Sequence, residues 1–179
     1  EIRLTSPVRD NYDYIVGAFL QFTEHEVDFR RDFIGLPPPL TPSGNLITTA
    51  QEGDTYAVFG QFTWHFNEAW DLTVSGRYTH EEKTAIQTQT PTALFTNTAI
   101  MLIPPFGPSA AIHDISAKRT ENNFSPTANL QWRVNEDTMV YASIARGFKG
   151  GGYDFQNDGI QAVAAGKFEY EDEDVTSYE

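Results

Sequence analysis

Residues 122–152 read NNFSPTANLQWRVNEDTMVYASIARGFKGGG, and their alternation constrains the fold more than any other feature of the chain. Phe124, Ala128, Leu130, Trp132 and Val134, with Pro126 among them, fall on one face. Asn123, Ser125, Thr127, Asn129, Gln131 and Arg133 fall on the other. Alternation sustained this long specifies a strand with one apolar and one polar side. Asn135, Glu136 and Asp137 read as a tight turn, after which Tyr141, Ala142, Ser143 and Ile144 return. Pairing Val134 with Thr138 sets Trp132 opposite Val140, Leu130 opposite Ala142 and Ala128 opposite Ile144. A slip of one residue would send the two apolar sets to opposite sides, so the pattern dictates this register.

The polar face is the unusual one. Strands of soluble sandwiches run about five or six residues and turn a Lys- and Glu-rich side to water. Here the polar residues are mostly small and uncharged, as on a transmembrane β-barrel strand whose inner side lines a lumen and whose outer side meets lipid. A long edge ribbon of a soluble protein shares the alternation but not this composition. Residues 55–66 and 70–83 repeat the arrangement around a turn at Asn67, Glu68 and Ala69, with Phe66 set opposite Trp70. Residues 14–33 begin the same way, although Ile15 and Phe19 sit on the polar side, as Phe59 does in its strand.

Between the strands, connections alternate in length. Those near 7–13, 67–69 and 135–137 are short. Those near 34–53, 87–120 and 150–171 are rich in Pro, Gly and Thr or acidic, and read as long loops. Short turns at one end and long loops at the other describe an up-and-down outer-membrane barrel, with periplasmic turns and extracellular loops. The aromatic residues supply a ruler. Trp70 and Tyr78 are eight residues apart on one face, as are Phe124 and Trp132; at about 3.3 Å per residue and a tilt of about 40° that is roughly 20 Å along the membrane normal. Trp64, Phe66, Trp70 and Trp132 mark the periplasmic interface, and Tyr78 and Phe124 the outer one. The expected fold is therefore all-β, an antiparallel transmembrane barrel segment.

Composition narrows the chemistry. Twelve basic residues against 25 acidic ones leave a net charge of −13, which disfavours nucleic acid as a partner. There is no cysteine, hence no thiolate metal site. His25, His65, His80 and His113 lack metal-ligand spacing, Ser125, Ser143 and Ser177 lack a nucleophile elbow, and KGGG at 149–152 lacks the phosphate-loop pattern and reads as a flexible loop root. Glu24, Glu26, Glu81 and Glu82 read as solvated strand tips, and EYEDED at 169–174 as surface acidity. No catalytic residue, metal ligand or cofactor is assigned.

Three segments, SGRYTHEEK (75–83), NNFSPTANLQWRVNEDTMVYASIARGFKGGGYD (122–154) and EDVTSYE (173–179), resemble the barrel region of TonB-dependent outer-membrane receptors, in the family's order. That resemblance implies a barrel of 22 strands around an N-terminal plug, energised by the TonB complex for uptake of a scarce nutrient such as a ferric siderophore. The chain carries five full strands and two partial ones, so residues 1–179 are expected to be part of that barrel, with the plug and remaining strands absent. Its expected location is the bacterial outer membrane, with lipid and lipopolysaccharide around it. An anionic ferric complex would meet Arg77, Arg146 and Lys149 as cations, and Phe148 and Tyr153 as aromatic contacts. Arg146 and Lys149 equally suit interfacial anchoring on lipopolysaccharide phosphate, and Arg77 a lumenal ion pair. The rival function is a non-transporting outer-membrane barrel or adhesin that binds through its long loops.

Overall fold

The computed structural model describes residues 1–7, 11–33, 43–91, 113–155 and 166–179. Nine strands account for most of them: β1 (Ile2–Thr5), β2 (Tyr12–Phe33), β3 (Ser43–Asn67), β4 (Trp70–Pro91), β5 (His113–Asn135), β6 (Thr138–Lys149), β7 (Gly152–Tyr153), β8 (Glu169–Tyr170) and β9 (Glu173–Tyr178). Seven form one antiparallel sheet in the order β1-β2-β3-β4-β5-β6-β9, an up-and-down meander, while β7 and β8 form a separate small ladder. The large sheet is open, with β1 and β9 at its ends.

One register rule runs through the sheet. Leu4 pairs with Val16, Val16 with Gly60, Gly60 with Gly76, Gly76 with Pro126, Ala128 with Ile144, and Ile144 with Tyr178. Even-numbered residues therefore share one face from β1 to β9, and odd-numbered residues share the other, because side chains alternate with period two. Leu20, Phe22, Val58, Phe62, Val74, Leu130 and Ile144 lie on the even face and are exposed, as are Trp64, Phe66, Tyr78, Phe124 and Trp132. An exposed apolar surface this continuous is out of place in water and suited to lipid. The odd face carries Gln61, Thr63, Ser75, Ser125, Thr127 and Ser143.

The hairpin register matches the expectation: Trp132 opposite Val140, Leu130 opposite Ala142, and Ala128 opposite Ile144. The turns themselves are one residue tighter. Asn135 pairs with Thr138 and Asn67 with Trp70, and a register shift at each junction leaves Val134 and Phe66 as the extra residue of a bulge. At the first of these turns the Asn67 side chain accepts from the N–H groups of Ala69 and Trp70, at 2.8 and 3.0 Å. At the second, the Asn135 side chain accepts from the Asp137 N–H at 3.0 Å.

Three long-loop expectations need correction. Residues 43–53 belong to β3, 87–91 to β4 and 113–120 to β5, and the 150–171 connection carries β7 and β8; only 34–42, 92–112 and 156–165 of those segments lie outside the described residues. Tyr12 and Asp13, expected in a turn, open β2. The strands thus continue well beyond the roughly 9–11 residues that cross a bilayer. A ladder needs only backbone donors and acceptors, so it persists after the oily face has ended, through Thr-rich stretches such as residues 84–90.

Candidate functional site

The inner wall is the odd face, and its functional side chains fall at three heights. Beside the short turns, His65 lies between two carboxylates, with Nδ1 2.6 Å from Asp71 and Nε2 3.1 Å from Asp13. Asp71 also accepts from Arg133. Four strands, β2 to β5, are cross-linked by these side chains. Higher up the wall, the hydroxyls of Thr63 and Thr73 meet at 3.1 Å.

At the level of Tyr78 and Phe124 stands Arg77. Its guanidinium carbon lies 4.9 Å from the Phe19 ring centroid, and its Nε donates to the Thr79 hydroxyl at 3.1 Å. Among the described residues no carboxylate lies within ion-pair distance of it, although Glu1 lines the same cleft and feels its charge; its close neighbour is an aromatic face in place of the expected lumenal ion pair. Phe59, directly opposite Arg77, lies over Gly17, and a Cβ there would meet the ring at 2.5 Å. Phe19 and Phe59, the two aromatic breaks in the alternation, are thus the aromatic residues of this patch. Arg3 stands 6.0 Å from the Phe59 centroid. A shallow cleft of about 410 Å³ is lined by Arg3, Phe59, Gln61, Ser75, Arg77 and Ser125 among others.

Above Arg77 the chain that leaves β6 folds back onto the inner side of β4 and β5. Lys83 donates to the Gly151 carbonyl at 2.8 Å and pairs with Glu81 at 3.1 Å. Both oxygens of Glu121 accept from the Gly151 N–H, at 3.0 and 3.2 Å. Tyr153 (6 % exposed) and Phe168 (3 %) pack on Ala85, with Ile115, Ala117 and Phe155 around them. Burying a ring such as Phe168 contributes about 1.5–3 kcal/mol. The glycines are required by proximity: a Cβ on Gly151 would strike the Tyr170 carbonyl and the Arg119 guanidinium, and one on Gly152 the Tyr170 hydroxyl. KGGG is therefore the root of a packed clasp, and the expectation of a flexible root is corrected.

Arg119 sits beneath the clasp, its side chain 10 % exposed. It donates to Glu121 at 2.7 Å, to the Tyr170 carbonyl at 3.0 Å and to Glu171 at 3.2 Å, with Glu169 at 3.6 Å. Burial works against its charge, but Glu121 and Glu171 outweigh burial and hold the guanidinium above its ordinary range. Burial also pushes the Tyr153 hydroxyl up, with Glu169 adding to the effect. Sequence reasoning missed Arg119, Glu121 and Phe168. They belong to a contact between segments about fifty residues apart in the chain, which no local pattern encodes.

The five residues expected to meet a ligand do not converge. Arg77 and Lys149 are on the inner face, and Lys149 lies 4.0 Å from Glu173. Arg146 and Phe148 are on the outer face, where Arg146 donates to Asp174 at 2.6 Å. Tyr153 is in the clasp core, its hydroxyl donating to the Lys83 carbonyl at 3.3 Å. The six interface aromatics all lie on the even face: Trp70 stacks on Trp132 at 5.4 Å, Trp64 lies 4.6 Å from Phe66, and Tyr78 donates to Asn122 at 2.8 Å. Phe66, at the bulge, keeps its place in that set. Glu82 pairs with Lys118 at 2.8 Å across the outer side of the extension.

Residues 3–179 match the family model described as TonB dependent receptor-like, beta-barrel. Among solved structures, the ferric yersiniabactin uptake receptor FyuA from Yersinia pestis is similar to 98 % of this chain at 15 % identity, with a TM-score of 0.64. The chain spans 23 % of that receptor's length. The RagAB peptide importer in its open-open state aligns with 79 % of this chain and 15 % of its own, at 16 % identity and a TM-score of 0.41.

Proposed function

The chain belongs to the TonB-dependent receptor-like β-barrel family, and on that premise we propose that it forms one arc of an outer-membrane uptake barrel. In this reading the remaining strands and a plug come from the same protein, the TonB complex supplies energy, and the substrate is an anionic ferric siderophore. The chain's part is binding and lining the passage, without covalent chemistry. Lipid meets the even face, and Arg146 and Phe148 stand where lipopolysaccharide would be.

Arg77 is the observation that supports an anionic substrate. It is a lumenal cation with no carboxylate within ion-pair distance among the described residues, flanked by Phe19 and Phe59, placed below the clasp and sharing its cleft with Glu1. A guanidinium set against aromatic faces suits an anionic, ring-bearing ligand. Lys149, exposed on the same face, is a second cation on the approach.

The test is growth under iron limitation of a strain lacking the gene, with ferric citrate or a ferric catecholate complex as the sole iron source. The strain should fail on at least one, and complementation with Arg77→Gln should raise the complex concentration needed by about tenfold. A deletion strain that grows like its parent on both would overturn the siderophore assignment and favour the adhesin reading.

A further inference from the structure

We propose that the open edge of β5 above Pro126, with the cleft beside it, takes an extended lysine- or arginine-bearing peptide segment by strand addition. β5 pairs with β6 only from Thr127 downward. β9 pairs with the other edge of β6, from Ile144 to Lys149, while β5 continues to His113 with β4 on one side alone.

Pro126 is the reason the ladder stops. The Arg133 N–H points to β4, donating to the Ala69 carbonyl, and the Ser143 N–H points away from β5, to Glu179. By alternation, even residues of β5 and β6 direct their N–H and C=O groups at one another. Pro126 would therefore face Arg146, and it has no N–H to give. Beyond it, Phe124, Asn122, Thr120, Lys118, Ser116 and Asp114 present unpaired backbone groups to the open side. Among the described residues none of these groups has a partner there. That edge is roughly 33 Å long at about 3.3 Å per residue.

A cleft of about 460 Å³ adjoins the edge, with Ile115, Ser116 and Ala117 on one wall and Gly166, Phe168, Glu169 and Glu171 on the other. On the far wall Glu169 and Glu171 stand against one lysine of that segment, Lys167, and the Arg119 guanidinium beside them is already held by Glu121, so the wall keeps negative charge. An added strand would complete the backbone bonds and send alternate side chains toward Glu169 and Glu171. A basic segment matches that wall and is drawn by the net charge of −13. A second copy of this chain would bring the same acidic wall and the same negative charge. The edge is protected by little else: Lys118 is its one cationic residue, and Glu82 already holds it. This site stands on strand geometry and is independent of what Arg77 binds.

The experiment uses the full-length protein in lipid nanodiscs and a fluorescein-labelled octapeptide of alternating threonine and lysine, capped at both ends, read by anisotropy. Saturable binding is expected, and the analogue with glutamate for lysine should bind at least about tenfold more weakly. Methylating alternate amides of one parity should cost about tenfold, and the other parity little, because only one set faces the edge. Ser116→Pro should weaken binding about fivefold or more. Its N–H faces away from β4, the position class in which Pro126 is already accommodated, so the sheet should survive, as heat-modifiable electrophoretic mobility would confirm. Ser116→Ala should bind normally. Equal binding by both methylated series, by the glutamate analogue or by Ser116→Pro would overturn the proposal. So would absence of binding, or a dimer sealed along this edge.

Discussion

Val74 offers the sharpest test of the membrane-facing surface. It lies midway between Trp70 and Tyr78 on the even face, 43 % exposed, with Phe62 and Ala128 as its cross-strand neighbours. Four residues at about 3.3 Å and a tilt of about 40° put it roughly 10 Å from each aromatic girdle. Arginine there should destabilise the folded protein in a bilayer by roughly 2–4 kcal/mol relative to alanine, against roughly 0–1 kcal/mol at Phe124. Taking the arginine-minus-alanine difference at each site removes the contact that Phe124 makes with Gly76, where a Cβ would stand 3.0 Å from the ring. Leu130, two residues from Trp132, should give an intermediate cost. Gln131→Arg, on the inner face, should be near neutral. The full-length variants would be refolded into phosphatidylcholine vesicles and titrated with guanidinium, with folding read by heat-modifiable mobility. A half-exposed valine in a water-soluble sheet would accept arginine with little effect. If Val74→Arg equals Val74→Ala within about 0.5 kcal/mol, or if Phe124→Arg costs as much as Val74→Arg, lipid does not cover this face.

Gly151→Val should detach the clasp by driving a side chain into Tyr170 and Arg119, a cost of about 1–3 kcal/mol; hydrogen exchange should quicken at residues 166–171 and leave β3 to β5 unchanged. Because burial raises the Tyr153 pKa, the neutral hydroxyl favours the closed clasp. That stability is whole below the unfolded tyrosine value of about 10 and declines as pH rises through the folded one. Protection from exchange at residues 166–171, taken relative to the base-catalysed rate of a free amide, should fall in alkali in the wild type, and Tyr153→Phe should remove that fall. A cysteine at Lys118 should label from outside intact cells and one at Glu136 should not; the reverse would invert the topology. Asp71→Asn removes the carboxylate charge that His65 and Arg133 share, and should lower the guanidinium midpoint, at a cost of about 1–3 kcal/mol.

The sequence alone determined the membrane-spanning part of this protein. Trp132, Leu130 and Ala128 had to oppose Val140, Ala142 and Ile144, because a one-residue slip would put oily side chains into the lumen and the short turn at 135–137 leaves no room for a longer one, and the girdle residues followed from the same alternation. It could not show how far the strands run, since Thr84 to Gln89 or Ser116 to Thr120 carry no apolar stripe once lipid is left behind. Their pairing rests on backbone hydrogen bonds, which every residue but proline offers alike. Nor could it show that Phe19 and Phe59, exceptions in two different strands, meet Arg77, because cross-strand neighbours are set by register over tens of residues. The clasp was decided by tertiary structure entirely. Gly151, Arg119 and Tyr170 have ordinary local surroundings in sequence, and only a chain folding back over the inner wall brings them close enough for glycine to be the one residue that fits.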